Sequence, residues 1–299
     1  MIAVTGATGL IGRRLVELLG ERGHDVVAVA RNITSLPSGL ATRTLDVTDR
    51  DAVRRALAEL KPKVIVHLAG MVTGARQIDQ VLPNLQTNLL GTIYVLMAAR
   101  EIGCERVVLS GTLLQDPTVA DGHPIPPSPY GASKWAADAY ARMFDALFGL
   151  PVVILRPSMV YGPGQRDLTK VIPYVISTTL RGELPQLTSG DWEVDWLYVD
   201  DAAAAFVAAV ERSGLDGLTI DLGSGQRATV RNIVERLMVL LGAPRQARFG
   251  ALEDRPHEAS RPIDVERTRR LLDWTPAVGI DAGLARTVRW FARGQGAAR

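Results

Sequence analysis

The stretch Met1-Ile2-Ala3-Val4-Thr5-Gly6-Ala7-Thr8-Gly9-Leu10-Ile11-Gly12 decides the fold. A short apolar run ends in three glycines and passes at once into helical spacing over residues 11–22. Glycine is required where a chain turns tightly, where backbone must approach a pyrophosphate, and where a helix meets a sheet. The free N–H groups and positive dipole end of the helix then attract the anion. Three glycines alone carry little weight. A strand before, a helix after and a second strand at Val26 make Gly6, Thr8, Gly9, Leu10, Ile11 and Gly12 a dinucleotide loop.

Working outward, residues 1–4, 26–30, 64–68, 107–109 and 152–155 are short, almost wholly apolar runs, which suit parallel strands covered on both faces. Between them, residues 11–22, 50–59, 84–102 and 133–148 carry apolar side chains at helical spacing. This alternation predicts an α/β, Rossmann-type doubly wound parallel sheet. After Pro157 the pattern becomes irregular, with a helix expected at 171–181, a strand at 196–199, a helix at 202–211 and a strand at 219–222. Helices near 230–241 and 265–272 follow. The expected organisation is a nucleotide-binding domain of residues 1–157 plus about 196–223. A smaller, mainly C-terminal substrate-binding lobe would take about 158–195 plus 224–294, and residues 295–299 read as a tail.

Composition narrows the function. Apolar residues make up 47% and charged residues 22% of 299, enough for a sizeable core, and the formal charge of +2 is spread rather than clustered. No dense basic face for nucleic acid is expected. Cys104 is the single cysteine and reads as a packed residue in a reducing, cytoplasmic setting. His24, His67, His123 and His257 are scattered singly, so no metal site is expected. No apolar run approaches the roughly 20 residues that cross a bilayer, and no signal peptide is expected.

The second strand meets the adenosine ribose at its end. There the sequence reads Val29-Ala30-Arg31-Asn32, with no acid for a ribose 2′-hydroxyl and an arginine suited to a 2′-phosphate. NADP(H) is therefore the expected cofactor; if Arg31 is simply solvated, the enzyme accepts either NADP(H) or NAD(H). Asp46 and Val47 are candidates for the adenine contact, although Asp46 could equally serve a turn.

The chemistry lies in Ser128-Pro129-Tyr130-Gly131-Ala132-Ser133-Lys134. Ser128 is a good N-cap and Pro129 a good first helical residue. Tyr130 and Lys134, four apart, share one helix face. An ammonium one turn away and the helix N-terminus are both expected to acidify the phenol, which then exchanges a proton with a carbinol as hydride moves. Lys134 is also within expected reach of the nicotinamide ribose. Tyr-x-x-x-Lys alone is common. Its position one strand–helix unit after Ser110-Gly111-Thr112 gives it meaning, because those hydroxyls follow the carboxyl end of a sheet strand. Thr112 is expected to hold the substrate oxygen beside Tyr130.

With these motifs in hand, the sequence resembles the extended short-chain dehydrogenase/reductase family, in its nucleotide-sugar epimerase, dehydratase and ketoreductase branch. The resemblance covers nearly the whole chain, including His67-Leu68-Ala69-Gly70, Asn88, Arg156-Pro157, Val160-Tyr161-Gly162-Pro163-Gly164, Tyr198-Val199-Asp200-Asp201 and Leu222-Gly223-Ser224-Gly225. It implies a Thr112–Tyr130–Lys134 triad and cofactor contacts from Leu68, Ala69, Gly70, Asn88, Ser110 and Pro157. It also implies a homodimer through the helices around 88–100 and 133–148. Asp200 and Asp201 read as caps of the helix that follows.

Several family positions differ. Leu113-Leu114 stand where 4,6-dehydratases carry an Asp-Glu pair, and Gly111-Thr112-Leu113-Leu114-Gln115 replaces an epimerase-like serine pair. Met159 and Val194 replace an Asn and an Arg that contact the sugar nucleotide, whereas Arg255 matches a diphosphate arginine and Arg261 is a further candidate. The leading expectation is NADPH-dependent reduction of the 4-keto group of a nucleoside-diphosphate deoxysugar. A nucleotide-sugar 4-epimerase with retained NAD(P) is the alternative, and a non-catalytic NADP(H)-binding sensor comes third.

Overall fold

A computed structural model describes residues 1–34, 36, 39–113, 118–120, 123–243, 246–255 and 260–295. In chain order the elements begin β1 (Ile2–Thr5), α1 (Leu10–Glu21), β2 (Val26–Ala30), β3 (Ala41–Thr44), α2 (Arg50–Leu60) and β4 (Val64–His67). Next come α3 (Val81–Asn84), a π-helical stretch Leu85–Leu90, α4 (Gly91–Glu101), β5 (Arg106–Ser110), β6 (Thr118–Ala120), β7 (His123–Ile125), α5 (Pro129–Phe148), β8 (Val152–Pro157) and β9 (Met159–Tyr161). The chain continues through α6 (Val171–Leu180), β10 (Glu193–Tyr198), α7 (Val199–Glu211), β11 (Thr219–Leu222), β12 (Arg227–Thr229), α8 (Val230–Leu240), α9 (Val265–Leu272) and α10 (Ile280–Trp290). Residues 296–299 of the expected tail lie outside the described residues.

Seven parallel strands form the main sheet in the order β11-β8-β5-β4-β1-β2-β3. Successive side chains of a strand face opposite ways, so an apolar run feeds two cores. Val4, Ala28, Val66, Val108 and Val153 face α1 and α7, while Ala3, Val27, Ile65, Val107 and Val152 face α2, α4 and α5. The strand order reverses between β1 and β4, and a crevice opens beyond their carboxyl ends.

The strand expected at 196–199 is part of β10, but it does not join the main sheet. It pairs with β9 and β12 in a separate three-stranded sheet. Its residues Trp196 and Tyr198 bury themselves with Ile172, Val175, Ile233 and Leu237 from α6 and α8. Within β10, Asp195 is buried and accepts the Ser158 hydroxyl at 3.0 Å and the backbone N–H groups of Ser224 and Gly225, each at 2.7 Å. One carboxylate thus ties the small sheet to the loops leaving β8 and β11.

Asp200 and Asp201 do not cap α7, whose N-cap is Tyr198 with no side-chain bond. Asp200 pairs with Arg14 at 3.2 Å, and Asp201 accepts from the N–H groups of Ala277 and Val278. Phe206 of α7 is fully buried against the main sheet. Phe206→Ala should lower the unfolding free energy by about 3–5 kcal/mol, measured by urea denaturation.

Candidate active site

Gly6 has φ of +69°, and a Cβ there would lie 2.6 Å from the Ala69 nitrogen; a Cβ on Gly12 would run into the Gly6 carbonyl oxygen. Only bare backbone lets β1, β4 and α1 converge this closely. The result is a loop that presents the start of α1 to a cleft of about 1460 Å³. A dinucleotide fits this cradle, because the glycines leave backbone N–H groups uncovered at a helix start.

Gly6, Thr8, Gly9, Leu10, Ile11, Gly12, Asn32, Leu68, Gly70, Ser110, Thr112, Tyr130, Lys134, Pro157, Met159 and Arg255 all line the cleft. Six sequence candidates do not. Arg31 is exposed, with its charge beside Asp46, and Asp46 is engaged with the N–H and hydroxyl of Thr48. Val47 is buried in the core on the far side of the sheet. The N–H of Ala69 is turned inward to the Thr5 hydroxyl. Arg261 pairs with Asp221 at 2.6 Å instead of reaching the cleft.

Asn88 is fully buried in the π-helical turn and acts as a clasp. Its Oδ1 accepts from the N–H of Met71 at 2.7 Å, while its Nδ2 donates to the Met71 carbonyl and the Ser133 hydroxyl. It therefore holds the loop after β4 against α5. The π turn was not legible in the sequence, because helical periodicity runs through it.

His67 explains how the loop is fixed from below. The Thr92 hydroxyl donates to the Asn88 carbonyl at 2.7 Å, so it must accept from Nε2–H of His67. Nδ1 is then unprotonated and accepts from the Thr5 hydroxyl at 2.7 Å. Burial, with the Lys134 charge nearby, depresses the imidazole to about 3. His67 is thus a neutral linker between β1, β4 and the helix that carries Asn88.

Ser128 caps α5 as expected, accepting from the N–H of Gly131 at 3.0 Å, with Pro129 behind it. Tyr130, Ser133 and Lys134 are all buried. The Tyr130 hydroxyl is hydrogen-bonded to Thr112, and Lys134 Nζ donates to the Ser110 carbonyl at 2.7 Å. The expected acidification of Tyr130 by Lys134 is not present in this arrangement. Burial pushes the phenol up to about 12, against the opposing Thr112 bond, and desolvation pulls Lys134 down to about 8. The ammonium spends its hydrogen bond on the Ser110 carbonyl, and the phenol gains its support from Thr112.

Around the outer cleft stand Arg166, Lys170, Tyr174, Trp192 and Arg255. Lys170 donates to the Val72 carbonyl at 3.2 Å and feels the charge of Arg255. The sequence reading missed Arg166 and Lys170, since only the tertiary fold brings the loop after β9 beside Arg255. Leu113 occupies the position after Thr112; Leu114, Gln115, Pro256 and His257 lie outside the described residues.

This arrangement of glycine loop, switch-point crevice and Thr–Tyr–Lys cluster has close counterparts. The profile of the NAD dependent epimerase/dehydratase family matches residues 2–223. The chain belongs to that family. It is 32% identical over 307 residues to a UDP-glucose 4-epimerase of Mycolicibacterium smegmatis, covering 96% of this chain and 97% of the relative. A dTDP-glucose 4,6-dehydratase of Neisseria gonorrhoeae is also 32% identical, covering 97% of this chain and 95% of the relative. Among solved structures, the Thermotoga maritima UDP-glucose 4-epimerase with UDP-glucose superimposes with a TM-score of 0.90 at 25% identity, covering 98% of this chain and 99% of that one. The Thermus thermophilus UDP-glucose 4-epimerase in complex with NAD gives 0.86 at 27%, covering 97% and 98%. This chain is an enzyme of the family, with a seven-stranded Rossmann-type sheet. Among the described residues no helix is long and apolar enough to cross a membrane.

The buried, neutral His67 has a thermodynamic consequence. Below pH 6.5 the unfolded chain binds a proton there that the folded chain refuses, so stability falls as pH drops from 6.5 toward 3. Between pH 6 and 4 the slope should reach about 1.4 kcal/mol per pH unit from this residue, and His67→Gln should remove one proton's worth of that slope in urea titrations.

Proposed function

We propose that this enzyme interconverts nucleoside-diphosphate hexoses epimeric at C4, holding NAD as a retained cofactor. The observation that carries the reading is the buried Thr112–Tyr130–Lys134 cluster, lining the same cleft as the glycine loop. Full-length similarity to UDP-glucose 4-epimerases supports it. The apolar Leu113, where a dehydratase needs an acid, argues against water elimination. Reduction of a 4-keto sugar by NADPH is the weaker reading, because its main support was Arg31, which stands outside the cleft with its charge beside Asp46.

The glycine loop would hold the pyrophosphate, and Lys134 the nicotinamide ribose. Oxidised nicotinamide, when bound, supplies a hydride acceptor and a positive charge near the phenol. Tyr130 takes the proton of the sugar's 4-hydroxyl and returns it, while Thr112 keeps the phenolic oxygen aligned. Burial keeps bulk water away from this exchange. Arg255, Lys170 and Arg166 form the cationic wall that suits a diphosphate, and Met159 lines the same cleft, where it would pack against the sugar.

The test is direct. Purified enzyme with NAD should convert UDP-glucose and UDP-galactose into one another without net NADH release, and Tyr130→Phe should lose at least about 100-fold in kcat. Stoichiometric NADPH oxidation with a nucleoside-diphosphate 4-keto sugar, and no epimerisation, would instead make it a reductase.

We also infer that the enzyme is a homodimer. Trp135, Tyr140, Leu147 and Phe148 of α5 are exposed, as are Leu82 and Leu85 ahead of α4. Aromatic and aliphatic side chains clustered on adjoining helices are the composition of a protein interface. Sedimentation should give twice the chain mass, and Trp135→Glu with Leu147→Glu should return monomers.

A further inference from the structure

The face of α5 that carries Tyr130 and Lys134 continues one turn further to Asp138, which is 1% exposed. A carboxylate this deeply buried needs a compensating charge, or it reverts to the neutral acid. Its position is fixed by Gly111: a Cβ there would lie 3.0 Å from Asp138 Oδ1 and 3.2 Å from Oδ2. Gly111 stands between Ser110, whose carbonyl receives the Lys134 ammonium, and Thr112, which is bonded to Tyr130. The bare glycine lets the carboxylate approach the underside of the catalytic cluster.

The other groups facing this region do not supply a negative charge. On β4, His67 is neutral, and in the π turn Asn88 presents an amide. On β5 there is the Ser110 carbonyl, and on α3 there is Asn84, whose side chain donates to the Gln80 carbonyl. On β8, Arg156 lies against the same glycine as Asp138; its guanidinium meets Asp221 of β11 at 2.7 Å, and Asp221 is paired in turn with Arg261. Charges therefore alternate from Lys134 through Asp138, Arg156 and Asp221 to Arg261.

We propose that Asp138 is a positioning residue for catalysis: its carboxylate is the buried counter-charge that keeps the Lys134 ammonium protonated beside Tyr130. The inference rests on the reading of Tyr130 and Lys134 as the acid–base pair. The electrostatics agree in sign. Desolvation drives Lys134 toward the neutral amine and Asp138 opposes it, while the same carboxylate disfavours the Tyr130 phenolate. Removing the charge should thus move both titrations in one direction, toward acid.

The test can be made independent of substrate, because the chain has only four lysines, Lys61, Lys63, Lys134 and Lys170. With lysine Cε labelled by ¹³C, Lys134 is assigned by loss of its signal in Lys134→Arg, and its titration is followed by NMR. In the wild type it should titrate near 8. Asp138→Asn should lower the midpoint by about one pH unit or more, and Asp138→Glu should return it close to the wild-type position. If the amide variant does not fold, Asp138→Ser removes the same charge and leaves room for water. In the epimerase assay with UDP-glucose, both limbs of the pH–rate profile should move to lower pH in the neutral variant. A folded neutral variant with an unmoved Lys134 midpoint overturns the proposal. So does a lowered plateau with fixed limbs, which marks a merely structural role. Absence of UDP-glucose turnover in the wild type would count against the epimerase reading alone and leave the NMR result standing.

Discussion

Everything in this enzyme depends on how closely bare backbone can approach bare backbone at the end of β1. Gly6 sits against the peptide between Leu68 and Ala69, and Gly12 against the Gly6 carbonyl, with no space for a Cβ at either. That contact brings the carboxyl ends of β1 and β4 to the start of α1 at the point where strand order reverses. The Thr5–His67–Thr92–Asn88 chain of hydrogen bonds runs beneath it. Because each hydroxyl in this chain has only one proton, each bond fixes the direction of the next, and the imidazole is left neutral.

Desolvation is the second theme. The Tyr130 phenol and the Lys134 ammonium are both taken out of water, and burial moves both toward their neutral forms. The protein alone does not create an acidic tyrosine. It creates a dry site in which any nearby charge acts strongly. A positively charged ring in the cleft would favour the phenolate there far more than it could in bulk water.

The small sheet contributes the outer wall. Residues 158–198 and those after 223 interleave with the main unit, and Asp195 pins the crossing points with backbone and hydroxyl bonds. The same geometry brings Arg166 and Lys170, on the loop after β9, to the side of the cleft where Arg255 stands. These cations come from distant parts of the sequence, which is why no local pattern marked them as a set.

Much of the fold could be read directly from local chemistry. Apolar runs marked the inner strands, helical spacing marked α1, α2, α5, α6 and α8, and Ser128-Pro129 marked the start of α5. Strand β3 escaped because Ala41–Thr44 lies at the sheet edge and is mostly exposed, so it has no apolar signature. The candidate site was legible where one element carries it: the glycine loop and the Tyr130–Lys134 pair line one cleft. Where the surroundings of a side chain depend on a distant neighbour, no local pattern marked them. The fold sets the charge of Arg31 beside Asp46 and pairs Arg261 with Asp221. Sequence determined which groups share a strand or a helix face, because backbone periodicity dictates that. Tertiary structure alone decided which charges are matched and which are desolvated, because both depend on residues far apart in the chain.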